Sequence, residues 1–218
     1  MAKKKSISAN DIISAYMDYV LEHDKKPTSV YAFAKANNFE EAKFYDHFGS
    51  FEAIEKQVFT SLFETSVATL EKSEDYQNFD ARNKLISFYY TFFENLTSNR
   101  SYIIQTLSQH KNSMKGLSLL SELKKNFGIY IESLDIEMIQ IDQKQIEEIQ
   151  TKALKESAWV QLLLTMKFWM DDTSASFEKT DIFIEKSVNT SFDVLNVVPL
   201  KSMIDLGKFI FKEKMQTS

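Results

Sequence analysis

Residues that break helices are scarce in this chain. It has only 4 glycines and 2 prolines among 218 residues, whereas average usage is roughly 7% and 5%. With so few turn-forming residues, most of the chain is predicted to lie in long helices. Cysteine is absent, which excludes disulfide bonds, thiol catalysis and thiolate metal sites and is typical of proteins from a reducing cytoplasm.

The sequence also lacks an apolar run long enough to span a membrane. Its most apolar stretch, "WVQLLLTMKFWM", is interrupted by Gln161 and Lys167 and is well short of the ~20 residues that a spanning helix needs. The basic start, "MAKKKSISANDII", has no apolar segment behind it and therefore differs from a secretory signal. We expect a cytoplasmic protein without a membrane span.

Positive charge is in short supply as well. The formal net charge of the chain is -5. Because nucleic acid is a polyanion, this overall charge opposes binding to it, and any such binding must come from a local patch.

Apolar residues at helical spacing are present almost throughout. One face of a first helix is formed by Ile12, Ile13, Tyr16 and Val20. Pro27 ends this helix, and Thr28 or Ser29 can cap a second one, "VYAFAKA". The "NN" pair that follows favours a tight turn. A third helix is predicted at about 40–48, and a fourth begins behind Ser50.

The helical pattern continues to the end of the chain. "KLISFYYTFFENL" is predicted as one helix, and "DDTSASFEKT" is predicted to turn the chain and cap another. The remaining helices are predicted at about 100–112, 116–133, 137–156, 159–170 and 200–214. Segment 159–170 is apolar nearly all round and therefore requires burial on two sides. The predicted fold is all-α.

One stretch, "SVYAFAKANNFEEAKFYDHFGSFEAI", resembles helix 2, the turn, helix 3 and the start of helix 4 of the tetracycline-repressor (TetR) family. Residues 10–60 match in order and spacing, and an aromatic pair followed by x-His-Phe-Gly-Ser is the family's most recognisable segment. "FWMDDTSASFEKTDIFIEKSV" is similar to the last helix pair of the family's body. The resemblance implies a three-helix, helix-turn-helix DNA-binding-type head (1–52) and a helical-bundle body for ligand binding and dimerisation (53–218).

The same resemblance implies a homodimer that binds double-stranded DNA and a small, usually apolar ligand. Its subunits would pair through the last two large helices, at about 157–195. Their recognition helices would enter successive major grooves, about 34–36 Å apart. A ligand in each body would shift the heads apart and end the match to the DNA.

Five head residues correspond to the family's DNA contacts: Thr28, Ser29, Lys43, Tyr45 and His47. The first two begin helix 2, where free N–H groups and the helix dipole favour a phosphate. Lys43 falls where the family often has a groove-facing Thr, and Tyr45 and His47 match a phosphate-contacting aromatic residue and imidazole. The alternative is that Tyr45 packs against helix 1 and His47 is a solvated surface residue.

Non-basic residues occupy positions where the family usually has basic ones. Glu40 and Glu41 replace Ser-Lys or Ser-Arg at the start of helix 3, Asp46 lies between the Tyr and the His, and Phe51 replaces the Lys after "GS". Residues 1–60 contain 8 Lys and 9 Asp or Glu, whereas a DNA-binding head usually has a basic excess. Carboxylates in a first turn do favour a helix, and they can accept from cytosine N4 in the major groove.

The aromatic residues of the body predict an apolar cavity between its helices. Candidate lining residues are Phe88, Tyr89, Phe92, Phe93, Trp159 and Trp169. An ordinary bundle core would have the same pattern in sequence.

No catalytic or metal site is predicted. Asp171 and Asp172 have no histidine near them and are assigned to a turn, while His23, His47 and His110 are too scattered for ligand spacing. The chain has no nucleophile with a base, no Gly-rich phosphate loop and no His/Glu metal motif. We therefore expect neither an enzyme nor a cofactor.

Two functions fit these patterns. The first is a TetR-like transcriptional regulator that is released or tuned by a small apolar ligand, with a lysine arm at residues 3–5 that could contact the DNA backbone. The alternative is a TetR-fold protein that binds lipid or another apolar ligand and no longer binds DNA. In the alternative, the amphipathic segment 200–214 could touch a membrane surface, although docking onto the bundle is the simpler expectation.

Overall fold

Helices account for all the regular structure in the described parts of the chain, as the all-α prediction requires. The computed structural model describes residues 7–109, 114–136 and 144–195. The lysine arm, His110 and the predicted helix 200–214 lie outside these ranges. The α-helices are α1 (Ala9–His23), α2 (Val30–Ala36), α3 (Glu41–Tyr45), α4 (Phe51–Glu71), α5 (Glu74–Asn78), α6 (Ala81–Ser98), α7 (Arg100–Gln109), α8 (Met114–Leu119), α9 (Ser121–Ser133), α10 (Lys144–Asp171) and α11 (Glu178–Leu195).

The chain divides into two compact units. One consists of Met1–Lys72 with Thr91–Phe127, and the other of Ser73–Tyr90 with Gly128–Ser218. The boundary predicted after residue 52 divides the chain by expected function, into a DNA-binding head and a ligand-binding body, and does not coincide with these units. It stays a prediction.

The first unit begins with a capping box at the start of α1. The Ser8 hydroxyl accepts a hydrogen bond from the Asp11 backbone N–H (3.2 Å), and the Asp11 carboxylate accepts one from the Ser8 backbone N–H (3.0 Å). These bonds satisfy N–H groups that the first turn would otherwise leave unpaired. One face of α1 is buried through Ile12, Tyr16 and Val20, as the periodicity predicts.

Two side-chain hydrogen bonds join further helices of this unit. The Asn95 amide of α6 donates to the Ser66 hydroxyl of α4 at 2.7 Å. The Gln105 amide of α7 donates to the Val20 carbonyl of α1 at 3.0 Å. Ser66 is fully buried, so its partner offsets the cost of placing a hydroxyl in the core.

In the second unit, α10 is a single helix of 28 residues. The separate helices predicted at 137–156 and 159–170 are therefore wrong as separate elements. No glycine or proline occurs between Lys144 and Asp171, so nothing in this part of the chain opposes a continuous helix. The face of α10 that carries Trp159, Leu162 and Trp169 is buried.

Two tyrosines form a buried hydrogen-bonded pair in this unit. The Tyr76 and Tyr130 hydroxyl oxygens are 2.9 Å apart, and the Tyr130 hydroxyl donates to the Lys84 carbonyl at 3.1 Å. Burial, followed by the bond to Tyr76, raises the pKa of Tyr130 far above its ordinary value. The Tyr130 hydroxyl therefore stays neutral, and the pair links α5, α6 and α9.

Asp172 organises the turn between α10 and α11. Its carboxylate accepts hydrogen bonds from the backbone N–H and hydroxyl of Ser174 (2.8 and 2.7 Å) and from those of Thr180 (3.0 and 2.7 Å). Burial by itself would raise the pKa of Asp172, but these bonds outweigh it and hold the pKa well below its usual range. The assignment to a turn is confirmed for Asp172, whereas Asp171 is the last residue of α10.

Some helix boundaries differ from those predicted. Helix α3 ends at Tyr45 rather than near Phe48, because the chain turns there with the His47 N–H donating to the Phe44 carbonyl at 3.0 Å. The segment predicted as one helix at 116–133 is divided between α8 and α9. The short α5 was not predicted, and Ser73 caps it.

Candidate nucleic-acid interface and dimer face

Helices α2 and α3 form a tight helix-turn-helix corner. Ser29 caps α2, its hydroxyl accepting from the Ala32 N–H at 3.1 Å. Asn38 adopts the left-handed conformation (φ 56°) in the turn, which asparagine tolerates better than most residues. The Phe33 and Phe44 rings, one from each helix, meet edge to face with centroids 6.3 Å apart. The sequence signals for the cap and the turn are both confirmed.

All five residues predicted to contact DNA are exposed on this corner: Thr28, Ser29, Lys43, Tyr45 and His47. Tyr45 is 55% exposed, so it is not part of the buried core of the head. The His47 Nε2 lies 3.3 Å from the Ile7 carbonyl oxygen. All five side chains are thus open to solvent on or next to the two helices of the corner, and their contact with DNA stays a prediction.

The basic residue of α3 is neutralised within the helix. The Lys43 ammonium donates to the Asp46 carboxylate at 2.8 Å, one turn along the chain. This hydrogen bond raises the pKa of Lys43 and lowers that of Asp46. Asp46 therefore has a local partner, and Lys43 does not present an uncompensated positive charge at the surface.

Phe51 lies in the aromatic core of the head and does not project from it. Its ring stacks on Tyr16, with centroids 5.3 Å apart and an interplanar angle of 15°. It also meets Phe44 and Phe33 edge to face at 5.4 and 5.6 Å. The position that often holds a DNA-contacting lysine in the resembled family is occupied here by a packing residue.

A buried carboxylate on α4 was missed in the sequence. Glu55 is 3% exposed, and its two oxygens accept from the Tyr16 hydroxyl at 2.8 Å and from the Lys26 ammonium at 2.9 Å. Burial, followed by the Glu55 charge, raises the pKa of Tyr16 far above its ordinary value. The signal was present, since Glu55 lies between Ile54 and Val58 on the apolar side of α4.

In the second unit, α10 and α11 share an exposed apolar groove of about 650 Å³. Val160, Leu164 and Phe168 of α10 are 52%, 58% and 36% exposed, and Ile182 of α11 is 51% exposed. Phe168 and Phe183 stack with ring centroids 4.5 Å apart. The helix that looked apolar nearly all round is thus buried on one side and uncovered on the other.

The predicted ligand-binding residues are all buried: Phe88, Tyr89, Phe92, Phe93, Trp159 and Trp169. None of them lines the cavity of about 260 Å³ in the second unit, whose walls include Leu85, Ile131, Ala158 and Phe192. Residues of a packed core and residues that line a closed cavity are both buried. The assignment of these six residues to a ligand site therefore stays a prediction.

Comparison with known proteins identifies the family of this chain. The family model described as the tetracyclin repressor-like, C-terminal domain matches residues 84–210, more than half of the chain. The chain belongs to the TetR family. Comparison with curated proteins gave no match. A solved structure of a TetR family transcriptional regulator, PfmR from Thermus thermophilus, is similar over 80% of this chain and 94% of that one, with 18% identity and a TM-score of 0.45.

TetR-family proteins are non-enzymatic transcriptional regulators, and this chain is a regulator of that family. Within the described ranges, no group of three or more His, Cys, Asp or Glu side chains could hold a metal ion. Among the same residues, no helix combines the length and apolarity that crossing a membrane requires.

Proposed function

We propose that this TetR-family regulator is a homodimer that binds operator DNA through α2 and α3. The observation that supports DNA binding is the arrangement of the corner, in which Phe33 and Phe44 are buried, Tyr45 and His47 are exposed, and the start of α2 is capped by Ser29. A hydroxyl, an imidazole and free helix N–H groups can all bind phosphate oxygens. Such a regulator would act in the cytoplasm.

The acidic residues of the head are compatible with this proposal because several are already paired. Asp46 accepts from Lys43, and Glu52 and Glu55 accept from Lys26. A hydrogen bond from its own backbone N–H, followed by the charge of Lys26, lowers the pKa of Glu52 despite partial burial. These three carboxylates therefore repel a phosphate less than three unpaired ones would.

A gel-shift titration with the DNA upstream of the protein's own gene, at low salt, tests DNA binding. We expect a discrete shifted complex, because specific sites are bound far more tightly than the rest of a fragment. A scrambled fragment of equal length and composition is the control. No shift at any protein concentration below micromolar would count against the proposal.

We propose that the dimer forms through the apolar face of α10 and α11. Four exposed apolar side chains lie on this face, and soluble monomers rarely leave a contiguous apolar patch of this kind uncovered. A second copy of the same face would be self-complementary, as a two-fold interface must be. Analytical ultracentrifugation at micromolar concentration should give twice the chain mass of 25.3 kDa.

We further propose that a small apolar ligand, bound among the aromatic residues of the body, releases or tunes DNA binding. The buried aromatic side chains of α6 and α10 supply apolar surface suited to such a ligand. Thermal unfolding with and without candidate ligands tests this, since a ligand that binds the native state raises the midpoint.

A second function is favoured by the packing of Phe51. If the head no longer needed a lysine for DNA, a residue that strengthens the core could take its place, and the acidic start of α3 would carry no cost. The chain would then be a TetR-fold protein that binds lipid or another apolar ligand. Native mass spectrometry of the purified protein separates the two: bound lipid together with no DNA shift favours this function.

A further inference from the structure

The Tyr16–Glu55–Lys26 network joins three parts of the head. Tyr16 lies on α1, Glu55 on α4, and Lys26 in the segment that leads into α2. Each Glu55 oxygen has its own donor, the Tyr16 hydroxyl at 2.8 Å and the Lys26 ammonium at 2.9 Å. The Lys26 ammonium also reaches Glu52 at 3.3 Å.

A charged carboxylate at this buried position destabilises the fold unless hydrogen bonds and a counter-charge compensate for its loss of water. Glu55 is almost fully buried among apolar residues of α4, whereas Lys26 is one-quarter exposed. Apolar residues of similar volume often stabilise a core as well as a buried ion pair does, so a pair of this kind contributes mainly by fixing one arrangement of its elements. Removing Lys26 takes away the counter-charge of the buried Glu55 carboxylate, and removing the Glu55 charge leaves Lys26 with only the longer contact to Glu52, so either change makes that arrangement less favourable.

The arrangement in question is that of the DNA-binding corner. Lys26 is followed directly by buried Pro27 and then by Thr28 and Ser29, which begin α2. Pro27 has little conformational freedom, so fixing Lys26 on α4 also restricts where α2 starts. Tyr16 is held from its other side by the stacked ring of Phe51.

We propose that Glu55 is a positioning residue for DNA binding: with Tyr16 and Lys26 it fixes the start of α2 against α4. Lys26 then serves the head as an internal counter-ion and not as a phosphate contact. This inference rests on the proposed DNA-binding function, and it assigns a role to a residue that does not touch DNA.

Replacing Glu55 by glutamine separates positioning from electrostatics. Glu55→Gln removes a negative charge from the head, so electrostatics alone predicts tighter DNA binding. Positioning predicts the opposite, a rise in Kd of roughly tenfold or more, because the neutral amide binds the Lys26 ammonium much more weakly than the carboxylate does. Glu22→Gln, which removes an exposed charge from α1 of the same head, is the matched control and should keep or tighten binding.

Lys26 variants provide the rescue test. Lys26→Met should weaken DNA binding, and Lys26→Arg should restore it, because a guanidinium can replace the ammonium on Glu55. If Lys26 contacted a phosphate instead, Lys26→Met would lower the slope of log K against log salt by about 0.9. The proposal expects an unchanged slope, and a slope lowered by that amount would overturn it.

A distance measurement tests the network without DNA. Because the chain has no cysteine, a Lys35→Cys, Glu64→Cys protein carries spin labels at these two positions and nowhere else, one on α2 and one on α4. Mixing it with excess unlabelled protein suppresses the distances between subunits. The labelled protein should give one narrow distance distribution, broadened by Glu55→Gln and by Lys26→Met and restored by Lys26→Arg. Unchanged distributions in both variants would overturn the inference.

These arms also separate the inference from the proposed function. If the unsubstituted protein binds no duplex, the proposed DNA-binding function is wrong. The label distances alone then test whether the Tyr16–Glu55–Lys26 network fixes α2 against α4. If Glu55→Gln does not fold, Tyr16→Phe takes its place, since it removes one hydrogen bond and keeps the ring. Weaker DNA binding and a broader distribution in Tyr16→Phe support the network, and no change in either contradicts it.

Discussion

Tyr16 holds Glu55 through its hydroxyl (2.8 Å) and stacks its ring on Phe51 (centroids 5.3 Å apart). One side chain of α1 is thus joined to two residues in the first two turns of α4. The relationship accounts for two features of the head: the phenyl ring of Phe51, where the resembled family usually has a lysine, and the buried carboxylate of Glu55 one turn later. Both serve the packing of the head.

Placing a lysine at position 51 should destabilise the protein, because Phe51 packs in the aromatic cluster of the head. Phe51→Lys removes a ring from the aromatic cluster and brings a charge to it, at a cost of about 1–3 kcal/mol in the free energy of unfolding. Phe51→Leu, the apolar control, should cost about 1 kcal/mol. Urea unfolding measures both variants, and a Phe51→Lys protein as stable as the wild type would show that the ring is dispensable.

Tyr45 is expected to contribute directly to DNA binding. Tyr45→Ala should raise Kd roughly tenfold, since a hydrogen bond to a charged phosphate contributes about 1.5–3 kcal/mol. Its exposure means that the melting temperature should hardly change. Tyr90→Ala, at a half-exposed tyrosine outside the head, is the control for fluorescence anisotropy, and equal affinities for the two variants would refute the assignment.

Asp46 should limit the contribution of Lys43. In Asp46→Asn the ammonium loses its ion-pair partner and becomes available to a phosphate, so DNA binding should tighten and its salt dependence should steepen. Both side chains are about half exposed, and stability should change little. The double variant Lys43→Met with Asp46→Asn should lose the gain, and a gain that persists there would point to a different cause.

The α10–α11 face should determine the oligomeric state. Leu164→Glu places a carboxylate in the middle of the exposed groove and should raise the dimer dissociation constant roughly 30-fold or more. Ile149→Glu makes the same kind of change at an isoleucine that is even more exposed but does not line the groove. Sedimentation velocity compares them, and dissociation of both proteins alike would remove the case for this face.

Asp172 predicts a specific dependence of stability on pH. Its pKa is lowered in the folded state, so its stabilising effect is fully present above the unfolded value of about 3.9 and is lost as pH falls through the folded pKa. Asp172→Asn should therefore be less stable than the wild type at pH 7, and the difference should shrink below about pH 4.

Asp171→Asn is the control for that measurement. Asp171 is adjacent in sequence but mostly exposed, and it pairs with Lys167 on the surface. Urea unfolding at several pH values should give a much smaller effect for this variant. A difference between wild type and Asp172→Asn that stays constant from pH 7 to pH 3 would contradict the assigned role of Asp172.

Local chemistry made much of the fold predictable. The Ser29 cap, the left-handed Asn38 and the start of α4 behind Ser50 all follow from the preferences of single residues. The apolar spacing predicted the buried face of α1, where Ile12, Tyr16 and Val20 are buried. The continuity of α10 was missed because apolar periodicity shows which side of a helix is buried, not where the helix ends. The described side chains in the first half of α10 are more exposed than those in the second, so the two halves looked like separate helices.

The site was harder to predict because its features depend on pairs that are distant in sequence. Nothing local shows that Glu55 meets Tyr16, 39 residues away, or that Arg82 bonds to Asp193, 111 residues away. The role of Phe51 also depends on three rings brought together by folding. Sequence could identify the residue types that depart from the family pattern, but not which of them the folded head buries.

The most direct measurement of the central claim is the binding of the purified protein to the duplex upstream of its own gene, followed by fluorescence anisotropy across a salt series. A dimeric TetR-family regulator should saturate at two chains per site, with log K falling linearly as log salt rises. Anisotropy that stays flat at the lowest salt and micromolar protein, or a scrambled duplex bound equally well, would contradict the account.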